Sequence, residues 1–329
     1  MNKAWSCKAL WEQPLTRRMM WLLLALCLSA LGYMLIKASG SWSFLLTHRG
    51  EKLWNLLLVG AAVGMSTVMF QTISHNRILT PSLIGLDALY LLIQMGFIFF
   101  FSTTAYSELS PLTRFLGNTA LMMAMAVILF GLARPLLQHD LYRLLLIGVI
   151  FGVLCRNLNQ LMGRLLDPTE YAFYQGIAYA QFNRAQSALL LPSTFLILAN
   201  LVYVWKKRFV LDVLSLGRVQ AIGLGVNYAK EVFVLMLLTA SLVAISTALV
   251  GPILFFGLLV SALTYQLFPT PRHSILLPVS AMMAGLMLVL GQTIFERFWG
   301  LAGSLSMVIE GLGGLLFLLS LTPFLRKRA

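Results

Sequence analysis

Ten apolar blocks, most of them about twenty residues long, leave this chain few folds. They fall at about 19–38, 54–74, 82–101, 114–134, 142–163, 187–205, 231–249, 253–268, 275–295 and 304–323, parted by segments that carry charge, Pro or Gly. At about 1.5 Å per residue, a helix of that length crosses the roughly 30 Å hydrocarbon core of a bilayer. Lipid offers the backbone no hydrogen bonds, so a spanning segment must satisfy its own, and each block reads as a transmembrane helix. A transmembrane β-barrel would alternate polar and apolar residues and is excluded. The fold class is therefore all-α: a polytopic membrane protein with about ten spans.

Composition agrees: only 11% of the 329 residues are charged, against about a quarter in a soluble domain. Residues 19–38 read as a retained first span, because Leu28 and Ala30 make a poor signal-peptide cleavage pair. The eighth block is short and follows a tight Gly251-Pro252 break, so it is expected to tilt or to merge with the seventh into a broken pair. Residues 167–186 are too polar to span and predict a short helix at an interface or partly re-entering the protein.

Positive charge orients the chain. With both termini inside, sixteen of the 24 Lys and Arg fall in cytoplasmic segments, against eight for the reverse assignment. The net charge of +13 thus gathers at span ends rather than on a nucleic-acid-binding patch. Residues 1–18 form a cytoplasmic segment, 19–325 the membrane domain with a long cytoplasmic connection at about 206–230, and 326–329 a basic cytoplasmic tail.

No catalytic constellation is visible. The chain has no Walker sequence, no H-E-x-x-H and no G-x-S-x-G, so any ATP used must be bound by another chain. Cys7, Cys27 and Cys155 lack metal-ligand spacing, and His48, His75, His139 and His273 each sit in a separate polar connection and read as exposed loop histidines. No metal and no cofactor are expected.

Three stretches carry more information. The string GAAVGMSTVMFQTISHNRILTPSLIG, from Gly60 to Gly85, joins a small-residue helix suited to close packing to a sharp cytoplasmic turn, with Pro81 placed for the first turn of the next helix. The connection from Leu211 to Asn227 sets Leu211, Leu214, Leu216, Ala221, Ile222 and Leu224 among polar residues and glycines, a pattern for two short surface helices that fill a partner's groove. The third is Gly251 to Val260, followed by Pro271-Arg272-His273 and the block from Ile275 to Gly285.

Taken in this order, over about residues 50–325, these stretches resemble the iron-siderophore permease family of ABC importers, which shares its type II fold with the membrane subunit of the cobalamin importer. The family's second-helix signature falls on Gly60, Ala61, Gln71, Asn76, Pro81 and Gly85. Its cytoplasmic pattern falls on Leu216, Gly217, Ala221, Leu224, Gly225 and Val226, and its Gly-Pro-Ile pattern on Gly251, Pro252, Ile253, Gly257, Leu258 and Val260. The chain departs where Ser261-Ala262-Leu263-Thr264-Tyr265 replaces a usual Pro-His-Ile-Ala-Arg, and where Gln292 and Glu296 replace a usual Asp and Arg. These changes resemble a subgroup handling ferric catecholate and related siderophores, which often pairs two different permeases.

The resemblance implies a permease subunit in the bacterial inner membrane, with a second permease, two cytoplasmic ATP-binding subunits, an extracytoplasmic substrate-binding protein and membrane lipid as partners. It implies an ATPase contact at Leu216, Gly217, Ala221 and Gly225, a cytoplasmic gate near Asn76 and Ile78, and docking of the binding protein by Arg49 and Lys52, with Arg297 completing the patch. Asp87, Arg156 and Glu310 are intramembrane charges that should face protein, a cavity or one another, and Arg156 with Glu310 is a candidate structural pair. A proton- or ion-driven secondary transporter is the alternative class. It would use Asp87 and Glu310 as relays but leaves the apolar cytoplasmic connection unexplained.

Overall fold

The structure, a computed structural model, describes residues 14–36, 42–132, 141–182, 187–298 and 308–311. In chain order the helices are α1 (Pro14–Leu35), α2 (Trp42–Ser74), a single 3-10 turn (Pro81–Ile84), α3 (Leu86–Glu108), α4 (Pro111–Leu132), α5 (Leu141–Leu165) and α6 (Pro168–Ala178). They continue with α7 (Ser187–Lys206), α8 (Arg208–Leu214), α9 (Arg218–Gly223), α10 (Tyr228–Val250), α11 (Phe256–Leu267) and α12 (His273–Thr293), which runs on as a wider π turn over Ile294–Phe298. No strand occurs among the described residues.

Eight of these helices, α1, α2, α3, α4, α5, α7, α10 and α12, are long and apolar enough to cross a membrane. The short eighth block becomes α11, twelve residues entered through the non-helical Gly251-Pro252-Ile253 break. The polar stretch after α5 forms the eleven-residue α6. The tenth block lies outside the described residues except for 308–311, as do residues 1–13, Arg134, His139 and the tail 326–329. α2 starts at Trp42, ahead of the apolar block that begins near residue 54, so the helix carries His48, Arg49 and Lys52 as well. Hydropathy marks where lipid begins, whereas backbone hydrogen bonding continues past it.

Lipid tails are as apolar as leucine, so helices associate there by close packing rather than by the hydrophobic effect. The α2–α12 pair is the most extensive in the bundle, and small residues make it so. A methyl group on Gly60 would lie 2.9 Å from the Gly285 nitrogen, and one on Gly64 would lie 2.5 Å from the Ser280 carbonyl oxygen. Gly85, between the 3-10 turn and α3, has φ of 90° and presses against Gly152 of α5. A side chain there would meet both a strained backbone and a neighbouring main chain. Interior hydroxyls bond back along their own helices: Thr67 donates to Val63, Thr119 to Phe115, Thr239 to Leu235 and Thr293 to Val289. Polar side chains are thereby tolerated in an apolar interior.

Candidate coupling and transport sites

The connection between α7 and α10 folds as the two short helices α8 and α9. Gly217, with φ of 100°, turns the chain between them, and Asn227 caps α10 by accepting a hydrogen bond from the Lys230 backbone N–H. Packing then sorts the apolar residues into two sets. Leu211, Leu214 and Ala221 are fully buried and seat the helices on the bundle. Leu216, Ile222 and Leu224 are exposed, together with Val219, which stands 80% exposed and which the sequence reading did not single out. Ala221 and Leu216, grouped together by sequence, therefore do different things: one anchors the element and the other presents a surface. Gly217 and Gly225 lie at the bends on either side of α9.

A polar chain ties α8 to the helix ends behind it. Asp212 Oδ1 accepts a hydrogen bond of 2.6 Å from the His273 backbone N–H and one of 2.8 Å from the ring Nδ1. A carboxylate only accepts, so Nδ1 carries the proton. Nε2 lies 2.7 Å from the Thr72 hydroxyl, which also reaches the Val68 carbonyl at 2.9 Å. The coupling helix is thus connected through one imidazole to the first residue of α12 and the last turn of α2. This overturns the reading of His273 as an exposed loop histidine, since it is 2% exposed. Its place beside Pro271 and Arg272 concealed that α8 folds over it. His48 and His75 are exposed as expected.

Beside this chain lies the turn after α2. Gln71 donates to the Arg77 carbonyl at 2.7 Å and to the Ser261 hydroxyl at 2.8 Å, and the Arg77 guanidinium stacks over the Tyr265 ring at 4.8 Å. Ser261 and Tyr265, two of the departures from the family pattern, are therefore partners of this turn. Asn76 Oδ1 accepts from the Ile78 backbone N–H at 3.0 Å, which shapes the turn, and both residues are exposed.

At the opposite end of the bundle, Arg49, Lys52 and Arg297 converge on Glu296 and Tyr33. Arg49 is only 5% exposed, and its guanidinium donates to the carbonyls of Tyr33, Met34 and Ile36, the orphaned acceptors at the end of α1. Lys52 pairs with Glu296 at 3.4 Å. Glu296 also accepts from Tyr33 and Gln292, and Arg297 lies 3.8 Å from it. Within the second departure, Glu296 thus supplies the acceptors around which the basic residues gather, and Gln292 donates to it.

The intramembrane charges separate. Arg156 and Glu310 form no ion pair with each other, because Arg156 turns to the exposed face of α5. That face also carries Asn157, Gln160 and Arg164. Asp87 is buried, and its carboxylate accepts from Thr247 at 3.2 Å. No group of three or more His, Cys, Asp or Glu able to hold a metal occurs among the described residues.

Comparison with known proteins places this architecture. The profile of the FecCD transport family matches residues 13–322. The chain belongs to the FecCD transport family. It is 38% identical over 297 residues to a petrobactin import system permease protein of Bacillus subtilis, covering 90% of this chain and 94% of that one. It is 34% identical over 277 residues to a petrobactin import system permease protein of Bacillus anthracis, covering 83% of this chain and 77% of the other. A solved structure described as an inward-facing metal-chelate type ABC transporter superposes with a TM-score of 0.80 at 23% identity, over 92% of this chain and 97% of that one, which fixes the shared fold. This FecCD chain is a multi-pass membrane permease subunit, and its ATP is hydrolysed by separate subunits.

Proposed function

We propose that the chain is the membrane-spanning permease of an importer that carries an iron chelate inward, with ferric siderophores of catecholate and related type as its substrate class. The similarity to two petrobactin import permeases, at 38% identity over 90% of the chain for the first, carries this reading. In it the α8–α9 end faces the cytoplasm, and Leu216, Val219, Ile222 and Leu224 enter a groove on the ATP-binding subunit, with Gly217, Ala221 and Gly225 holding the surface in shape. Motion passes from α8 through Asp212 and His273 to the turn at Asn76 and Ile78, which gates the path. The exposed Arg156, Asn157, Gln160 and Arg164 of α5 are costly against lipid and suit the aqueous path enclosed with a second permease subunit. At the outer end, Lys52 and Arg297 receive acidic residues of the binding protein, and Arg49 holds α1 in place beside them.

Cells lacking the chain and then regaining it, given a panel of iron chelates, test the substrate class. Restored uptake of ferric siderophores is expected, with the ATP-binding subunit recovered alongside the chain in mild detergent. Uptake that follows an ion gradient without ATP, by a chain recovered alone, would overturn the reading.

A further inference from the structure

Asp87 is a buried charge for which the transport reading has no use. It is 4% exposed near the start of α3. Thr247 and Ser82 hydrogen-bond to its carboxylate, yet Oδ2 has no partner among the described residues. Asp87 lines a cavity of about 20 Å³ together with Ser66, Thr67, Thr80, Ser82, Ser246 and Thr247. A polar space of that size holds one occupant no larger than a water molecule.

The chemistry of the walls selects the occupant. Ser66 and Thr67 both donate to the Val63 carbonyl, Ser246 donates to the Val243 carbonyl, and Thr247 donates to Asp87 itself. Their hydrogens are committed, so these hydroxyls offer the cavity lone pairs only. Ser82 donates to Asp87 as well, so the polar side of the wall, Thr80 apart, is a set of acceptors around an acidic oxygen, closed by Val63, Pro81, Val243 and Ile253. Asp87 forms no ion pair with a Lys, Arg or His among the described residues. Glu310, which accepts from the Leu254 backbone N–H just after the break, adds a like charge to the surroundings of Asp87 rather than a counter-ion. A buried carboxylate in such surroundings is stabilised by a cation or by neutralisation.

We propose that this cavity is a monovalent-cation site that takes a sodium ion on Asp87 Oδ2 and the surrounding hydroxyl oxygens. One carboxylate balances one positive charge, and hard neutral oxygens complete the coordination of a hard ion. A divalent ion would want further carboxylates, which this wall lacks. The ligands come from α2, from the turn that leads out of the gate segment, from α3 and from α10 just before the break. A bound ion therefore fastens these four pieces together, and it favours whichever arrangement of the turn brings them into register.

The test reads binding on the purified chain, together with any subunits that accompany it, and needs no transport, so its failure is separate from failure of the proposed function. Thermal unfolding is compared in sodium and N-methylglucamine chloride at equal ionic strength, and radioactive sodium binding is measured by equilibrium dialysis. Saturable sodium binding and a sodium-specific rise in Tm are expected, lost in Asp87→Asn and weakened about tenfold in Ser246→Ala, which removes one acceptor. Equal Tm in both salts with no bound sodium would overturn the site and leave a buried water. A Tm that responds to pH but not to sodium would overturn it in favour of a proton, and wild-type binding by Asp87→Asn would overturn it as well. The salt comparison on the wild-type chain needs no variant to fold.

Discussion

Replacing Asp212 with Ala removes the single acceptor that serves both the backbone N–H and the ring Nδ1–H of His273, at 2.6 and 2.8 Å. His273 remains buried at the start of α12, so both donors lose their partner. Each buried donor left unsatisfied costs about 1–3 kcal/mol. Asp212 is itself 30% exposed, which lets water recover part of this, and the low end of the summed range applies: roughly 2–3 kcal/mol. At 1.4 kcal/mol per tenfold, the docked position of α8 should weaken about 30- to 140-fold. Hydrogen exchange reads this directly, with the amides of α8 expected to exchange faster by that factor while those of α4 do not change. Asp212→Asn keeps an acceptor oxygen and should retain most of the protection. In the assembled transporter the Ala variant should hydrolyse ATP with reduced uptake. Wild-type protection of α8 in Asp212→Ala would refute the argument that this carboxylate holds the coupling helix in place.

Val219→Asp or Leu216→Asp should abolish association with the ATP-binding subunit, measured by co-purification, while Tm changes little because both side chains are exposed. Gly64→Ala should destabilise the chain by about 1–3 kcal/mol through overpacking against Ser280, whereas Gly96→Ala, with nothing within 4 Å of the added methyl, should not. Thermal unfolding of the pair side by side distinguishes them. Lys52→Glu combined with Arg297→Glu should slow association with the binding protein, most at low salt, as read by surface-immobilised kinetics. Arg49→Ala should instead lower Tm, because its guanidinium holds the carbonyls at the end of α1.

The spans were legible because lipid imposes one simple demand on a sequence, and the shortened α11 could be expected from Gly251-Pro252. The coupling helices were legible as a pattern of apolar residues on a polar background. Their division into anchors and surface was not, because Leu214 ends α8 against the bundle and Leu216 stands in the turn two residues on, and nothing local to the sequence separates the two. The burial of His273 is hidden from sequence for a related reason: its partner Asp212 is distant along the chain, and no local signal connects a histidine at one helix start to an aspartate on a surface element. Arg49 posed the same difficulty. Its neighbours are carbonyls of α1, and carbonyls carry no residue identity by which a sequence could reveal them.

The α2–α12 pair is fastened at both ends, by Lys52 and Glu296 at one and by Thr72 and His273 at the other. The two fastenings on α2 stand about 30 Å apart along the helix, close to the thickness of the hydrocarbon core. Between them Gly60 and Gly64 leave no slack, since the two backbones already touch. Such a pair cannot slide one helix past the other, and neither can it lengthen. It behaves as a strut that can only pivot, so a push delivered at Asp212 should reappear at Glu296 as a tilt in the opposite sense.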